Sequence, residues 1–215
     1  MTLLFFLAVI VATQSRMGFA AALVGIFVVV VATAARSARA APLVIGGLVV
    51  GVVLTVLALS LFGEALFDRF GTVEQSSIVR TDLYVQVIEL IKLRPWTGFG
   101  GGSFELAFPL VHTLPVNLDL LWDKAHNSYL ALWSDLGLIG GSIPLLIIAA
   151  LVRRTAFAPG GSPTDWRFRA MSLGAVAVAA VHSLADFSLE IQANAILFVI
   201  VLALGLPTTP EKGKS

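Results

Sequence analysis

The sequence predicts an all-α, polytopic membrane protein, and three observations lead there. Of its 215 residues, 58% are hydrophobic and only 13% are charged, and the mean hydropathy of +0.94 lies outside the range of water-soluble domains. The charges are clustered, so that residues 17–35, 41–62, 137–152 and 193–206 carry none, while a span of the hydrocarbon core needs about 20 apolar residues. Those runs are continuously apolar rather than alternating, which points to helices and away from a transmembrane barrel. The chain has no cysteine, which removes disulfides, thiolate metal sites and cysteine nucleophiles.

The elements follow in order. "MTLLFFLAVIVAT" lacks a basic leader and would cover roughly 20 Å against a ~30 Å core. It reads as the outer part of a helix that begins upstream, in a chain that is the C-terminal part of a longer protein. "TQSR" makes a tight outer turn with Arg16, and the chain re-enters the membrane through Met17–Ala35. After "ARSARA" a second full span, Ala40–Phe62, leads to the only large polar segment. A connection of that length is expected to be ordered and functional.

Within it, "SSIVRTDLYVQVIELIKLRPWTG" has helical periodicity. Ser76 or Ser77 is placed to cap this helix, Pro95 to end it, and Ile78, Val79, Leu83, Val87, Ile88 and Ile91 to form its apolar stripe. Arg80 and Tyr84, four apart, share a face beside that stripe. Glycine-rich "WTGFGGGSF" follows, then a stretch broken by Pro109 and Pro115. "HNSYLALWSD" reads as a short interfacial helix with Tyr129 and Trp133 at headgroup level. Gly137, Gly140 and Gly141 lead from it into a span ending at Arg153 and Arg154. Two last spans lie between Phe168 and Leu206, split by an outer turn that holds Asp186 and Glu190.

This divides the chain into first transmembrane helices (1–62), a periplasmic loop region with a motif helix (63–127), C-terminal transmembrane helices (128–206) and a cytoplasmic tail (207–215). The positive-inside rule orients it. Arg36, Arg39, Arg153, Arg154, Arg167, Arg169, Lys212 and Lys214 fall on one side with only Asp165 and Glu211, a net of +6. The other side holds six basic and eleven acidic residues. The first side is therefore cytoplasmic, and the large loop lies outside.

That topology brings Arg16, Arg80 and His126 to the outer face. Paired guanidinium forks suit the oxygens of a lipid diphosphate, although an arginine at a helix end also serves as a headgroup anchor. Neutral imidazole can accept a proton from a hydroxyl at ordinary pH, although for a lone histidine the structural reading is the stronger one. Asn127 fits either a helix cap or a sugar hydroxyl. Asp135, nine residues after His126, is about half a turn out of phase with it on an ideal helix, so a shared site requires a break between them. "GFGGGSF" can offer amides to an anion but lacks the Lys-Ser/Thr of a P-loop. Clustered histidines, a zinc-protease signature and a spaced carboxylate pair are all missing, so no metal site and no cofactor are expected.

Taken together, "QSRMGF", "RTDLYVQVIELIKLRPWTGFGGGSF", "AHNSYLALWSDLGLIGG" and "VHSLADFSLEIQANAILFVIVLALGL" resemble the O-antigen ligase and O-antigen polymerase superfamily. Its signature is an arginine-led helix, Pro-x-x-Gly-x-Gly, then His-Asn-x-Tyr-Leu and an acidic residue before Gly-Leu-x-Gly. Two positions depart from it: Asp135 stands where many relatives carry glutamate, and Gln192 where proline is common.

The resemblance implies a GT-C-like helical bundle in the bacterial inner membrane and a metal-independent glycosyltransferase. Such an enzyme moves a glycan from undecaprenyl diphosphate to a hydroxyl of lipid A-core, glycan or protein in the periplasm. Arg16 and Arg80 would neutralise the departing diphosphate and His126 would activate the acceptor. Asn127, Tyr84, Gly100 and Asp135 would line the substrate. Membrane lipids are partners and nucleic acid is not. Two further classes fit the composition: a carrier of a lipid-linked or soluble anion, and a non-catalytic partner in envelope assembly. Charge-free central spans weigh against transport, because carriers place polar groups near the midplane.

Overall fold

The structure is a computed structural model that describes residues 15–36, 70–159 and 161–207, together with residues 9 and 46. Among these residues the fold is helical, with no strand. The expected partial first helix and the span Ala40–Phe62 lie outside the described residues, as does the tail from 208 onward. Six α-helices are described: α1 Arg16–Arg36, α2 Phe70–Leu93, α3 Phe104–Ala107, α4 Ser128–Phe157, α5 Pro163–His182 and α6 Gln192–Leu204. Single 3-10 turns follow α3 at Phe108–Leu110 and precede α6 at Ser188–Glu190.

The chain forms two compact units, one of residues 40–145 and 183–188, the other of 1–39, 146–182 and 189–215. In the first, α2 is the organising element. Leu83, Val87, Leu90 and Ile91 are buried against Phe104, Phe108, Val116, Ala125 and Leu130. This stripe corrects the one read from the sequence. Ile88 is exposed and Leu90 takes its place, because positions 83, 87 and 90 share one face of a 3.6-residue helix while 88 is turned about 100° from 87. The helix also begins at Phe70, ahead of Ser76 and Ser77. No proline separates Phe70 from those serines, the one glycine there, Gly71, is carried in the first turn, and adding residues to a formed helix is easier than starting one.

Buried Gln86 fastens the loop that follows α3. Its Nε2 donates to the Thr113 carbonyl at 2.6 Å, and its Oε1 accepts from the Thr113 amide at 3.2 Å. The short helices and turns between Phe104 and Asp123 match the proline-broken stretch expected there.

In the second unit α1 packs along α5, and α5 along α6. The contact between α1 and α5 is made of glycine. A Cβ on Gly25 would come 3.0 Å from the Gly174 carbonyl oxygen and 2.3 Å from Val178, and one on Gly174 would come 2.4 Å from Val29. Likewise a Cβ on Gly205 would come 2.3 Å from Ser172. Small residues are buried here, Ala21, Ala170, Ser172 and Thr155 among them, while Phe27, Leu146, Ile196 and Val199 face outward. A water-soluble bundle buries its large side chains, whereas helices surrounded by lipid gain nothing that way and close on small residues instead.

Among the described residues, two helices are long and apolar enough to cross a membrane, Met17–Ala35 and Ser128–Phe157. At about 1.5 Å per residue α6 covers roughly 20 Å. The start of α5 is five residues earlier than expected because of a reciprocal cap: Asp165 accepts the Ser162 amide at 2.7 Å, and Ser162 Oγ accepts the Asp165 amide at 3.2 Å. Pro163, whose missing N–H costs nothing at a first helical position, follows the capping serine. Buried Arg169 donates to the Ala158 carbonyl at 2.9 Å, just past the end of α4.

Candidate active site

Tyr84 joins three segments. Its hydroxyl donates to the His126 carbonyl at 2.8 Å and also lies 3.2 Å from the Leu184 carbonyl. The sequence had placed Arg80 and Tyr84 on one face, and the Arg80 charge does act on the Tyr84 phenol. Burial pushes that phenol above its ordinary pKa; Arg80 opposes the shift and Asp186 adds to it. Thus Arg80, Tyr84, the His126 loop and Asp186 form one neighbourhood within one unit. Arg80 itself is exposed and Asp186 partly buried.

His126 has a positive φ of 51°, a conformation histidine tolerates better than most non-glycine residues but one that needs outside support. The support is visible on both sides. The Tyr84 hydroxyl holds the carbonyl, and the imidazole packs edge-on against Trp122 at 6.2 Å and Phe187 at 5.3 Å. The ring is partly buried.

Asn127 is the N-cap of α4. Its Oδ1 accepts the amides of Tyr129 at 3.0 Å and Leu130 at 3.1 Å, and its Nδ2 donates to the Leu184 carbonyl at 2.9 Å. Of the two uses read from the sequence, the cap is the one in place. Ser128 adds bonds from its amide to the Ser183 carbonyl at 3.0 Å and from its hydroxyl to the Asp186 carbonyl at 3.0 Å. Asp186 accepts the Phe187 amide at 2.8 Å and the Ser188 hydroxyl. The sequence marked Asp186 only as a turn residue; its charge beside Tyr84 was not legible, because the partners are about a hundred positions apart.

The glycine-rich turn and Asp135 belong to a second arrangement. Helix α4 begins only after His126, whose φ is positive, runs on through Asp135 and bends at Gly137 (φ 71°, ψ 171°), so the chain leaves the helix between His126 and Asp135, and the Asp135 carboxylate meets the glycine-rich turn. The turn docks into the bend. Phe99 donates to the Ser134 carbonyl at 3.0 Å, Gly100 to the Asp135 carbonyl at 2.8 Å, and Leu138 to the Pro95 carbonyl at 2.7 Å. The Asp135 carboxylate accepts the Gly102 amide at 2.6 Å. Gly98 and Gly137 are obligatory here: both have positive φ, and a Cβ on either would come 2.3 Å from a backbone oxygen of the other strand of the crossing. Pro-x-x-Gly-x-Gly and Asp-Leu-Gly are therefore two halves of one backbone joint.

Arg16 opens α1 in the other unit, and its side chain is not among those described. Ser15 starts the helix, its Oγ accepting the Gly18 amide at 3.1 Å. His182 ends α5 nearby, with Nε2 3.7 Å from where a Gly18 Cβ would stand. Nothing in the spacing had singled out His182.

A family model described as O-antigen ligase matches residues 1–145. That covers α1, α2, the glycine-rich turn, the His126 loop and α4 as far as residue 145, and leaves α5 and α6 beyond it. Neither the curated proteins nor the solved structures gave a match. With two thirds of the chain matched, and with the arginine-led helix, the glycine joint and the capped His-Asn turn each in place, the chain belongs to the O-antigen ligase family.

Proposed function

We propose that this protein transfers a glycan from undecaprenyl diphosphate to a hydroxyl acceptor on the periplasmic side of the inner membrane. Family membership supports the class of reaction, a ligase- or polymerase-type glycosyltransfer. The observation that carries the assignment of residues is the Tyr84 hydroxyl on the His126 carbonyl, one helical turn from Arg80. It ties the cation-bearing face of α2 to the histidine loop.

In this reading the acceptor oxygen attacks the anomeric carbon, the bond to the diphosphate oxygen breaks, and the lipid diphosphate leaves with that electron pair. The hydroxyl proton passes to His126. Arg80, with Arg16, provides fixed positive charge where negative charge develops, the arrangement that lowers such barriers most effectively. Permanent guanidinium charges take over the role a divalent cation fills elsewhere, so transfer persists in chelator. Asn127 and Gly100 are assigned to the frame, since their polar groups are engaged with the protein's own backbone; Asp135 joins the frame through the oxygen that accepts the Gly102 amide, while its Oδ1 is buried with no hydrogen-bond partner among the described residues. The acceptor is a hydroxyl of lipid A-core, of a growing glycan or of a protein.

The test is transfer in membranes that carry His126→Ala or Arg80→Ala, with insertion and protein level checked for each. Loss of general-base help costs about 10² to 10⁴-fold, and a fall of that size is expected for His126→Ala. Wild-type transfer by a correctly inserted Arg80→Ala protein would end the assignment.

A further inference from the structure

We infer that the segment from Trp96 to Leu121 docks on the bilayer surface, with its exposed apolar side chains entering the headgroup and upper acyl region. None of these residues belongs to a helix long enough to cross a membrane. Yet Leu106 is 84% exposed, Leu114 and Leu121 are each 73% exposed and Trp96 is 66% exposed. Water alone is a poor environment for so many large apolar groups in one short stretch, and exposure on this scale marks an interaction surface.

The bilayer is the occupant because the segment is joined to a helix that enters it. Trp96 is fixed at the bend of α4: its carbonyl oxygen stands 2.3 Å from where a Gly137 Cβ would be, and the neighbouring Pro95 carbonyl accepts the Leu138 amide at 2.7 Å. From that bend α4 continues as an uncharged apolar run, with Leu138 and Ile139 exposed. The sixteen residues 137–152 cover about 24 Å at 1.5 Å per residue, close to the hydrocarbon thickness, so the bend falls near the membrane boundary. Trp96 at that level matches the preference of tryptophan for the interface. The charges agree. Residues 96–121 contain Glu105 and Asp119 but no lysine or arginine, so docking rests on apolar insertion and does not depend on anionic lipid. On α2, Glu89 and Lys92 pair at 2.6 Å with both side chains exposed, which marks a face left in water.

This rests on α4 crossing the membrane, and the experiment separates the two. The chain has no cysteine, so single cysteines at Leu106, Leu114, Glu89 and Ile147 take a nitroxide label in an otherwise unlabelled protein. The four labelled proteins are placed in nanodiscs of zwitterionic phosphatidylcholine. Collision with oxygen, which concentrates in lipid, is compared with collision by a water-soluble nickel chelate. Leu106→Cys and Leu114→Cys are expected to favour oxygen severalfold over Glu89→Cys, and Ile147→Cys more strongly still. If Ile147→Cys reports lipid while Leu106→Cys and Leu114→Cys match Glu89→Cys, docking is refuted and the membrane reading stands. If Ile147→Cys also reports water, both fall. Full activity and insertion of each labelled protein guard against a misfolded variant, and Trp96 emission, read with acyl-brominated lipid in a protein carrying Trp122→Phe, Trp133→Phe and Trp166→Phe, repeats the test without a label. Strong quenching of Trp96 is expected, and unchanged emission would overturn the proposal.

Discussion

Tyr84 shows how one hydroxyl can govern a histidine it does not touch through the ring. The phenol holds the His126 carbonyl, and so secures a positive-φ conformation that would otherwise relax toward ordinary backbone at a gain of about 1–3 kcal/mol. Tyr84→Phe removes that bond at a net cost of about 0.5–1.5 kcal/mol. Transfer is expected to fall about tenfold, with less change in binding of the lipid-linked donor, as kcat measured apart from KM would reveal. The same residue sets an alkaline limit. Because burial raises the Tyr84 pKa in the folded protein, its contribution to stability is fully present below the ordinary phenol value of about 10 and is lost as pH rises through the folded value. Thermal stability in detergent should drop above about pH 10, and drop less in Tyr84→Phe. The sequence did pair Arg80 with Tyr84, since helical spacing is local. It did not reveal that Tyr84 would bond His126 or stand near Asp186, because those are contacts across 42 and about a hundred positions.

Among elements, the joint between the glycine turn and α4 carries the most specific demands. Gly98 and Gly137 face each other's backbone with no room for a methyl group, whereas Gly101 has open space and no positive φ. Gly98→Ala and Gly137→Ala are each expected to destabilise by about 2 kcal/mol or more, and Gly101→Ala to stay within about 0.5 kcal/mol; melting temperatures of the three purified variants decide this. Gly98 and Gly101 look alike in the sequence, where "GFGGG" reads as a turn. Helix positions were more legible than helix ends: the periodicity located α2, but placed its start at Ser76 or Ser77 rather than Phe70, since no residue near Phe70 gives a strong starting signal. The boundary anticipated at Gly137 is in place: the backbone there is non-helical and separates two helical stretches of α4, and Leu138 finds its acceptor outside the helix, at the Pro95 carbonyl, where the internal ladder fails.

For the whole molecule, composition and charge carried the reading furthest. An apolar chain with clustered charges predicted membrane-spanning helices, and the unit of α1, α5 and α6 turns large apolar residues outward. What no pattern revealed was how the helices would close, since the Gly25 and Gly174 contact joins segments about 150 positions apart. The orientation is open to a direct check in cells with a permeable outer membrane. A cysteine at Glu89 should react with an impermeant maleimide from outside, and one at Thr164 only after the inner membrane is opened; the reverse pattern would invert the topology. The turn at 98–102 and the helix at 134–138 also share their amide partners, so neither can open without the other. Such linked segments exchange their amide hydrogens as one cooperative unit. Peptides covering residues 96–102 should therefore take up deuterium on the same slow schedule as peptides from α4, although one is a glycine-rich turn and the other a helix, and Gly137→Ala should release both clocks together.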